Sequence, residues 1–206
     1  MRNLALSLFL TIPLFCQSFA IGVKGGLRVT SDLEGYATSE SKRYLVGPAV
    51  EVKLPLRLAI EVDALYSRFG LRTANGGFFG SYTQSQRANS WEFPILAKFR
   101  PFRPVFVEGG FVPRTMSGGS THYESISIDF SGNSKRDTGD LKTDYDASRG
   151  WIVGGGLELP FRHLRLAPEV RYTRWNDQPV FLYGPHGYFV QSTQNRADII
   201  IGLWWK

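Results

Sequence analysis

The fold of this chain is decided by its last twelve residues, 195–206, which read N-R-A-D-I-I-I-G-L-W-W-K. One face of this segment is wholly apolar and carries Ala197, Ile199, Ile201, Leu203 and Trp205. The other face carries two charged residues, Arg196 and Asp198. A β-strand places alternate side chains on opposite faces, so this strand needs apolar surroundings on one side and polar partners on the other. We expect it to pair with the first strand of a closed barrel.

The N-terminal segment differs from the rest of the chain. It has a charge at Arg2, an apolar run over residues 4–15, and small residues at Ser18 and Ala20. This pattern predicts a secretory signal peptide over residues 1–20, too short to span a bilayer, followed by one barrel domain over residues 21–206. The 22 glycines and 14% aromatic residues of the 206-residue chain favour a sheet protein.

The single cysteine argues against a disulfide-bonded protein, and the distribution of charge argues against a nucleic-acid-binding protein. Cys16 lies inside the predicted signal, so the mature chain is expected to have no disulfide. Acylation of Cys16, as in a lipoprotein, is an alternative, but residues 13–15 before it lack the usual small side chains. Loss of Arg2 lowers the formal net charge from +6 to +5. The basic residues are spread singly along the chain, which argues against a nucleic-acid partner.

Eight amphipathic strands follow the signal. They are predicted over residues 23–30, 44–54, 58–69, 91–100, 105–111, 151–159, 164–172 and 195–206. Three connections are short and contain proline, at 55–57, 101–104 and 160–163. The connections at 31–43, around 75–89, at 114–149 and at 176–194 are long, polar and irregular. Short connections at one end and long ones at the other are typical of transmembrane barrels. We predict an all-β, eight-stranded antiparallel up-and-down transmembrane barrel with its long loops outside the cell.

The charged residues of the strands indicate which face points inward. A soluble lipocalin-type barrel would show the same alternation. The charged face carries eight acids and eight bases, a balance that suits a narrow lumen in which unpaired ions are costly. The predicted lumen charge network consists of Lys24, Arg28, Glu51, Lys53, Glu61, Asp63, Glu92, Lys98, Glu108, Glu158, Arg165, Glu169, Arg171 and Asp198, with Arg100 and Arg196 on the same face. Because eight strands leave room only for side chains, we expect a plugged, non-conducting barrel.

Aromatic residues cluster at the strand ends, where two girdles would meet the lipid headgroups. The predicted girdle residues are Tyr44, Tyr66, Trp91, Phe99, Phe111, Trp151, Tyr172 and Trp205. In the soluble alternative the same rings would form a core. Three prolines, Pro48, Pro94 and Pro168, each remove a ladder hydrogen bond. We predict that these positions are bulges or lie near the loop-side ends of the strands, and that the register shifts there locally by one residue.

The mature chain resembles the small outer-membrane β-barrel proteins of Gram-negative bacteria, the eight-stranded OmpA/OmpX-like type. The resemblance covers residues 23–206 and rests on the signal peptide, the V-K-G-G-L segment at 23–27, the proline-bearing turns and the final strand with its terminal aromatics. It implies a cell-surface protein in the outer membrane, inserted by the barrel-assembly machinery. That machinery recognises a last strand ending in an aromatic residue, whereas here Lys206 follows Trp205. The resemblance implies outer-membrane lipid and lipopolysaccharide as partners. We expect no residues to remain for a periplasmic peptidoglycan-binding domain, so that activity is not implied.

Candidates for chemistry are few. His122 lies in a long loop near Ser120 and Ser125, with no acid expected beside it, and His163 and His186 lie in turns. A lipid-modifying hydrolase or acyltransferase is therefore an alternative rather than the main interpretation. The carboxylates of Asp137, Asp140, Asp144 and Asp146 could bind Ca²⁺, but basic residues interleave with them, so a solvated loop is favoured. We expect no cofactor and no metal.

The fourth long loop is unusually aromatic for exposed chain. It carries Phe181, Tyr183, Tyr188 and Phe189. We expect this loop, or an outward extension of the strands that it joins, to bind an unknown extracellular ligand or to mediate adhesion. The predicted protein is thus a monomeric structural or surface-interaction barrel, and a small channel is the remaining class.

Overall fold

The computed structural model describes residues 18–31, 33–35, 37–78, 80–177, 181–183 and 189–205. Sixteen β-strands are found among them. They are β1 (Phe19–Arg28), β2 (Leu33–Gly35), β3 (Thr38–Ser39), β4 (Tyr44–Lys53), β5 (Leu58–Asp63), β6 (Leu65–Gly77), β7 (Gly80–Glu92), β8 (Ile95–Phe102), β9 (Val105–Ile128), β10 (Ser134–Lys142), β11 (Ser148–Leu157), β12 (Leu159–Phe161), β13 (Leu164–Trp175), β14 (Phe181–Tyr183), β15 (Phe189–Ser192) and β16 (Asn195–Trp205). No helix within this part of the chain is long and apolar enough to cross a membrane.

The strands close into an eight-stranded antiparallel barrel, as predicted. Three of the eight wall strands consist of two consecutive segments each, namely β5 and β6, β7 and β8, and β11 and β12. In chain order the wall strands are β1, β4, β5–β6, β7–β8, β9, β11–β12, β13 and β16, and each pairs with the next. The last strand β16 then pairs with β1, from Gly22 opposite Trp204 to Arg28 opposite Asp198. This pair closes the barrel, because β16 needs a partner on each side and β13 supplies only one.

Two of the long connections are β-structure, which corrects the prediction of irregular loops. Strands β6 and β7 pair along their whole length to the turn near Gly77, and β9 continues to Ile128 before β10 returns beside it. Residues 70–89 and 114–142 were not predicted as strands because they lack an apolar face. Both faces of a sheet outside the membrane can carry Ser, Thr and Gly. Strand β1 also begins earlier than predicted, at Phe19, within the predicted signal peptide. Residues 1–17 of that peptide, with Cys16, and Lys206 lie outside the described part.

The three strand prolines do not shift the register, so that prediction was wrong. Partner numbers keep a constant sum along each ladder through Pro48, Pro94 and Pro168. The carbonyl oxygen of Pro48 accepts the Ala64 N–H at 3.0 Å, and that of Pro94 accepts the Asp63 N–H at 3.0 Å. A proline lacks only the donor, so each carbonyl still joins the neighbouring strand. Register shifts occur instead between Arg87 and Asn89 and between Phe99 and Phe102.

Candidate functional site

The centre of the lumen is an ion cluster built around Arg171 of β13. Its Nε lies 2.7 Å from Glu108 Oε1, and its Nη1 lies 2.7 Å from Asp63 Oδ2. Its Nη2 lies 2.9 Å from Glu61 Oε1 and 2.8 Å from Glu169 Oε1. All five side chains are fully buried. One guanidinium therefore ties together carboxylates from β5, β9 and β13.

Two lysines complete this central cluster. Lys24 Nζ donates to Glu61 and, at 2.8 Å, to Glu169 Oε1. Lys98 Nζ donates to the other oxygen of Glu61 at 2.5 Å and lies 3.5 Å from Glu108 Oε2. With Asp63, four carboxylates thus face three cations in a region without solvent access. Each charge is buried among opposite charges, which offsets its cost of desolvation.

The three glutamates of this cluster are the one acidic group in the described residues that could hold a metal ion. Oxygen atoms of Glu61, Glu108 and Glu169 lie within 4.8 Å of one another. Ammonium and guanidinium groups of Lys24 and Arg171 already contact these oxygens. The side chains of the protein therefore stand where a bound cation would otherwise be required.

A second ion cluster fills the lumen at the end with the short turns. Arg100 contacts both oxygens of Glu158 at 3.0 Å and Glu51 at 2.6 Å. Arg165 spans the same two acids, 2.9 Å from Glu51 and 2.8 Å from Glu158. Lys53 lines the adjoining cavity of about 570 Å³, and none of the described acids pairs with it. The predicted residues of this end therefore come together, except that Lys53 faces the open mouth.

A third ion cluster lies at the end with the long loops. Arg196 binds Glu92 through two contacts of 2.6 Å and reaches Asp198 at 2.8 Å. Arg28 lies 3.7 Å from the same Glu92. Nearby, Arg114 Nε donates to Ser148 Oγ at 2.8 Å. Every predicted lumen charge except Lys53 belongs to one of these three clusters on the inner face of the barrel.

Buried aromatic rings fill the space between the clusters, and sequence reasoning did not single them out. Trp204 is 1% exposed, with the Arg165 guanidinium 5.0 Å from its ring and Lys24 and Lys98 each 5.7 Å away. Trp175 lies under Arg114 at 4.0 Å. The sequence pattern could have predicted that Trp204 points into the lumen. Trp204 is an even number of residues from Arg196 on β16, so the two side chains share a face. Cations over ring faces stabilise this packing.

The predicted girdle residues lie on the outside of the barrel. Trp91, Phe111, Trp151 and Tyr172 stand at the end with the long connections, and each is 38–63% exposed. Tyr44, Tyr66 and Trp91 form a row, with ring centroids 6.5 Å apart for the first pair and 5.2 Å for the second. Phe99 and Trp205 are exposed at the opposite end. Between the two ends the outer face carries exposed Ile, Val and Leu side chains.

Outside the barrel, the extended strands form one sheet in the order β3-β6-β7-β9-β10. His122 on β9 contacts Asp140 Oδ1 on β10 through Nδ1 at 2.8 Å, and Ser85 on β7 lies opposite His122 on its other side. The expectation that no acid lies beside His122 was therefore wrong, because the hairpin register pairs the two residues. No hydrogen bond joins His122 to Ser85 among the described contacts, and the His122 side chain is 57% exposed.

The remaining predicted loop residues have structural surroundings. The tip of the β9–β10 hairpin is closed by Asp129, which accepts the Asn133 N–H at 2.8 Å and the Ser131 N–H at 2.9 Å. These hydrogen bonds, first of all that from Asn133, lower the pKa of Asp129. Burial raises the pKa of Tyr145 to about 12, and its hydroxyl donates to Gln86 at 3.0 Å. The described aspartates of β10 and the following loop form no metal-binding group.

The aromatic fourth loop is described in part. Its strands β14 and β15 pair with each other, and β15 pairs with β2 in a separate three-stranded sheet. The prediction concerning His186 and Tyr188 lies outside the described residues, since 184–188 are not among them. His163 lies in the exposed turn between β12 and β13.

Comparisons with known proteins give one family match and several similar structures. A family model for the outer membrane protein beta-barrel domain matches residues 15–174. Neisserial surface protein A aligns with a TM-score of 0.39 and 12% identity, over 93% of this chain and 99% of that one. The attachment invasion locus protein Ail of Yersinia pestis, solved with the heparin analogue sucrose octasulfate, aligns with a TM-score of 0.39 and 10% identity, over 92% and 96%. No curated protein matches the chain.

Proposed function

Because this chain belongs to the outer membrane protein β-barrel domain family and resides in the outer membrane, we propose that it is a non-conducting anchor that presents an extracellular β-sheet to surface ligands. The soluble lipocalin-type alternative was wrong, since that family is integral to the membrane. The outer face agrees with this location. Val23, Val153, Ile199 and Ile201 are 45–56% exposed there, as lipid-facing side chains are.

The observation that carries the proposed binding role is the length of β9. It leaves the barrel at Arg114, where its pairing with β11 ends, and continues to Ile128. The extension spans about 45 Å of strand. Membrane spanning needs only about 9–11 residues per strand, so a projection of this length has a purpose outside the bilayer. Strand β10, exposed along nearly its whole length, forms an edge of the described sheet and offers free backbone groups for contact.

The proposed lack of conduction follows from what fills the lumen. The central cluster around Arg171, the two terminal clusters, Phe106 and Trp204 occupy the cross-section at successive heights. The largest of these side chains have less than 2% of their surface exposed. To pass through the lumen, an ion would have to displace paired, desolvated side-chain charges. Displacement costs roughly several kcal/mol for each charge that loses its partner.

Deletion of the projecting hairpin tests the proposed binding role. Replacing residues 118–141 with a short Gly-Ser turn should leave a heat-modifiable barrel, because the deleted residues pair outside the barrel wall. Cells carrying the variant should lose binding to host-cell or matrix surfaces that the unaltered protein supports. Deletion of 179–188, in the fourth loop, serves as the comparison. Unchanged surface binding in both variants would refute the adhesive role.

Planar-bilayer recording tests the closed lumen. The purified protein is expected to give no stable conductance. A stable large conductance would overturn the proposal and favour the channel class. The purified protein is expected to be a monomer in detergent. In the cell, the barrel-assembly machinery is expected to insert it into the outer membrane. N-terminal sequencing should show removal of residues 1–20.

A lipid-modifying enzyme is the second candidate, and the His122–Asp140 contact is the observation in its favour. An oriented histidine beside a hydroxyl is the arrangement that activates a serine. The side chains of His122 and Asp140 are 57% and 82% exposed. They lie on an open sheet, and no described cavity around them excludes water. Assays of lipid A and phospholipid hydrolysis with the unaltered protein and His122→Asn decide this. A hydrolytic activity lost in H122N would reverse the ranking.

A further inference from the structure

Three basic residues lie side by side on the outer surface of the barrel wall, just above the aromatic row. Arg68 is on β6, Arg87 is on β7, and Lys42 is in the segment before β4. They line a groove of about 380 Å³ together with Glu40, Phe69 and Gly70. Lys42 and Arg68 are exposed, and the Arg87 side chain is 61% exposed. No position in this groove belongs to the lumen network or to the aromatic girdle.

Strand register sets the height of these cations relative to the membrane. Tyr66 on β6 pairs with Trp91 on β7, and their rings mark the interface. Arg68 follows Tyr66 by two residues on the same face, and Arg87 pairs with Gly70, two residues further. Each such step is about 7 Å along a strand, or roughly 5 Å of height for a tilted strand. The cations therefore lie about 5–10 Å above the rings, at the level of the lipid phosphates.

The groove is held in shape by backbone contacts. Residues 40–42 lie against β6, where the Glu40 N–H donates to the Gly70 carbonyl and the Lys42 N–H donates to the Arg68 carbonyl, each at 2.9 Å. Ser41 Oγ donates to the Gly70 carbonyl at 3.1 Å and accepts the Gly70 N–H at 2.9 Å. A Cβ at Gly70 would lie 3.1 Å from the Glu40 backbone, so glycine permits this close approach. Lys42 is thereby fixed beside Arg68.

The charge of the groove is positive and only partly compensated. Its one acid, Glu40, lies 3.7 Å from Arg87. No described carboxylate pairs with Lys42 or with Arg68. Asn89, which pairs with Arg68 across the strands, accepts the Tyr66 hydroxyl at 2.8 Å and so connects the groove to the ring below it. An anionic group bound here would meet two uncommitted cations and a third shared with Glu40.

We propose that Lys42, Arg68 and Arg87 form a binding site for the phosphate groups of an outer-leaflet glycolipid, the lipid A part of lipopolysaccharide. The acyl chains of the lipid would lie along the apolar wall below Tyr66 and Trp91, while its phosphates would occupy the groove. The inference rests on the location of the chain in the outer membrane and not on the proposed binding role of the extracellular sheet.

Native mass spectrometry of the full chain, folded in detergent, tests this site. The protein is mixed separately with bisphosphorylated lipid A, with lipid A from which both phosphates have been removed, and with phosphatidylglycerol. The bisphosphorylated form should bind at least about tenfold more tightly than the dephosphorylated form, since charged hydrogen bonds are lost with the phosphates. Equal retention of the two lipid A forms would overturn the proposal, as would equal binding of phosphatidylglycerol.

Two matched triple variants locate the effect. K42Q/R68Q/R87Q should lower the affinity for bisphosphorylated lipid A by at least about tenfold. R57Q/R103Q/R162Q removes three charges from the short turns at the other end and should change that affinity less than about twofold. Heat-modifiability on a gel establishes that both variants fold. An equal loss in both would indicate attraction by net charge and refute the site. Competition by millimolar inorganic phosphate would show an anion site rather than a lipid site and would overturn the lipid assignment.

Discussion

Arg171 is the residue on which the interior of the barrel depends most. Its guanidinium contacts Glu61, Asp63, Glu108 and Glu169, and no solvent reaches any of them. Buried ion clusters of this kind contribute less stability than their contacts suggest, because each ion has lost its hydration. Removal of one partner nevertheless destabilises the fold, because the remaining buried charges are left uncompensated.

The first prediction concerns the loss of this guanidinium. Arg171→Ala should lower the free energy of unfolding by about 3–5 kcal/mol, because four carboxylates then share only two lysines. Arg174→Ala, three residues further along β13 on an exposed position, should change it by less than about 0.5 kcal/mol. Urea unfolding in lipid vesicles measures both. Similar stability of the two variants would mean that the central cluster is hydrated.

Trp204 and Trp205 are neighbours in the chain with opposite surroundings. Trp204 is 1% exposed inside the barrel, whereas Trp205 is 49% exposed on its outer surface. Trp204→Ala should cost about 3–5 kcal/mol, because it leaves a cavity beneath Lys24, Lys98 and Arg165. Trp205→Ala should cost distinctly less, since lipid fills the space. The same vesicle unfolding experiment compares them, and a larger loss for Trp205 would reverse the assigned faces.

At the scale of elements, β9 consists of two parts with different surroundings. From Val105 to Arg114 it lies within the barrel wall, with β8 and the end of β7 on one side and β11 on the other. Beyond Arg114 it lies outside the wall, between β7 and β10. Strand β10 pairs with β9 along one side, and eight of its nine residues are exposed. Local stability is therefore expected to fall along β9 toward its tip.

Hydrogen exchange measures this gradient. Backbone amides of β10 should exchange at least about tenfold faster than those of residues 105–114, equivalent to a difference of about 1.4 kcal/mol in opening free energy. The physical reason is that β10 contributes few buried contacts and faces water. Amides of β16, in the closing pair, provide the protected reference. Equal protection of β10 and β16 would indicate that another surface covers β10.

The strand prolines show how an element can tolerate a missing donor. The expected bulges at Pro48, Pro94 and Pro168 rest on the loss of one N–H each. The ladder keeps its register because the carbonyl oxygens of Pro48 and Pro94 accept N–H groups of the neighbouring strand. A proline removes only its own N–H donor, so the pairing on either side of it continues without a change of register here.

At the scale of the whole molecule, the depth of the barrel in the bilayer is set by the apolar side chains of its outer face. Ile201 lies midway along β16, opposite Gly25 of β1 and Pro168 of β13. Ile201→Arg should destabilise the protein by about 2–4 kcal/mol, because the charge lies near the midplane. Val29→Arg, near the end with the long connections, should cost about 0–1 kcal/mol. Vesicle unfolding gives both values, and equal costs would contradict the assigned membrane depth.

The alternation of residues along each strand was enough to predict the barrel and both of its faces. A strand has a period of two, so Ile199 and Ile201 must share a face that excludes Arg196 and Asp198 wherever the strand lies. The short, proline-bearing turns indicated which ends of the strands are joined tightly. The inward placement of the charged residues follows from the same local rule, because a charge on the lipid side is costly.

Only the tertiary structure decided which charges meet and what lies between them. Arg171 contacts acids of β5 and β9 because the closed sheet brings distant strands to one height, and this height depends on the register of every pair around the barrel. The same dependence placed Asp140 beside His122, set Lys42 beside Arg68, and extended β9 beyond the membrane. Pairing between strands is a property of two segments at once, whereas the period of a strand belongs to one. The sequence by itself therefore determined the faces of this barrel, and its contacts were decided by how the strands pair.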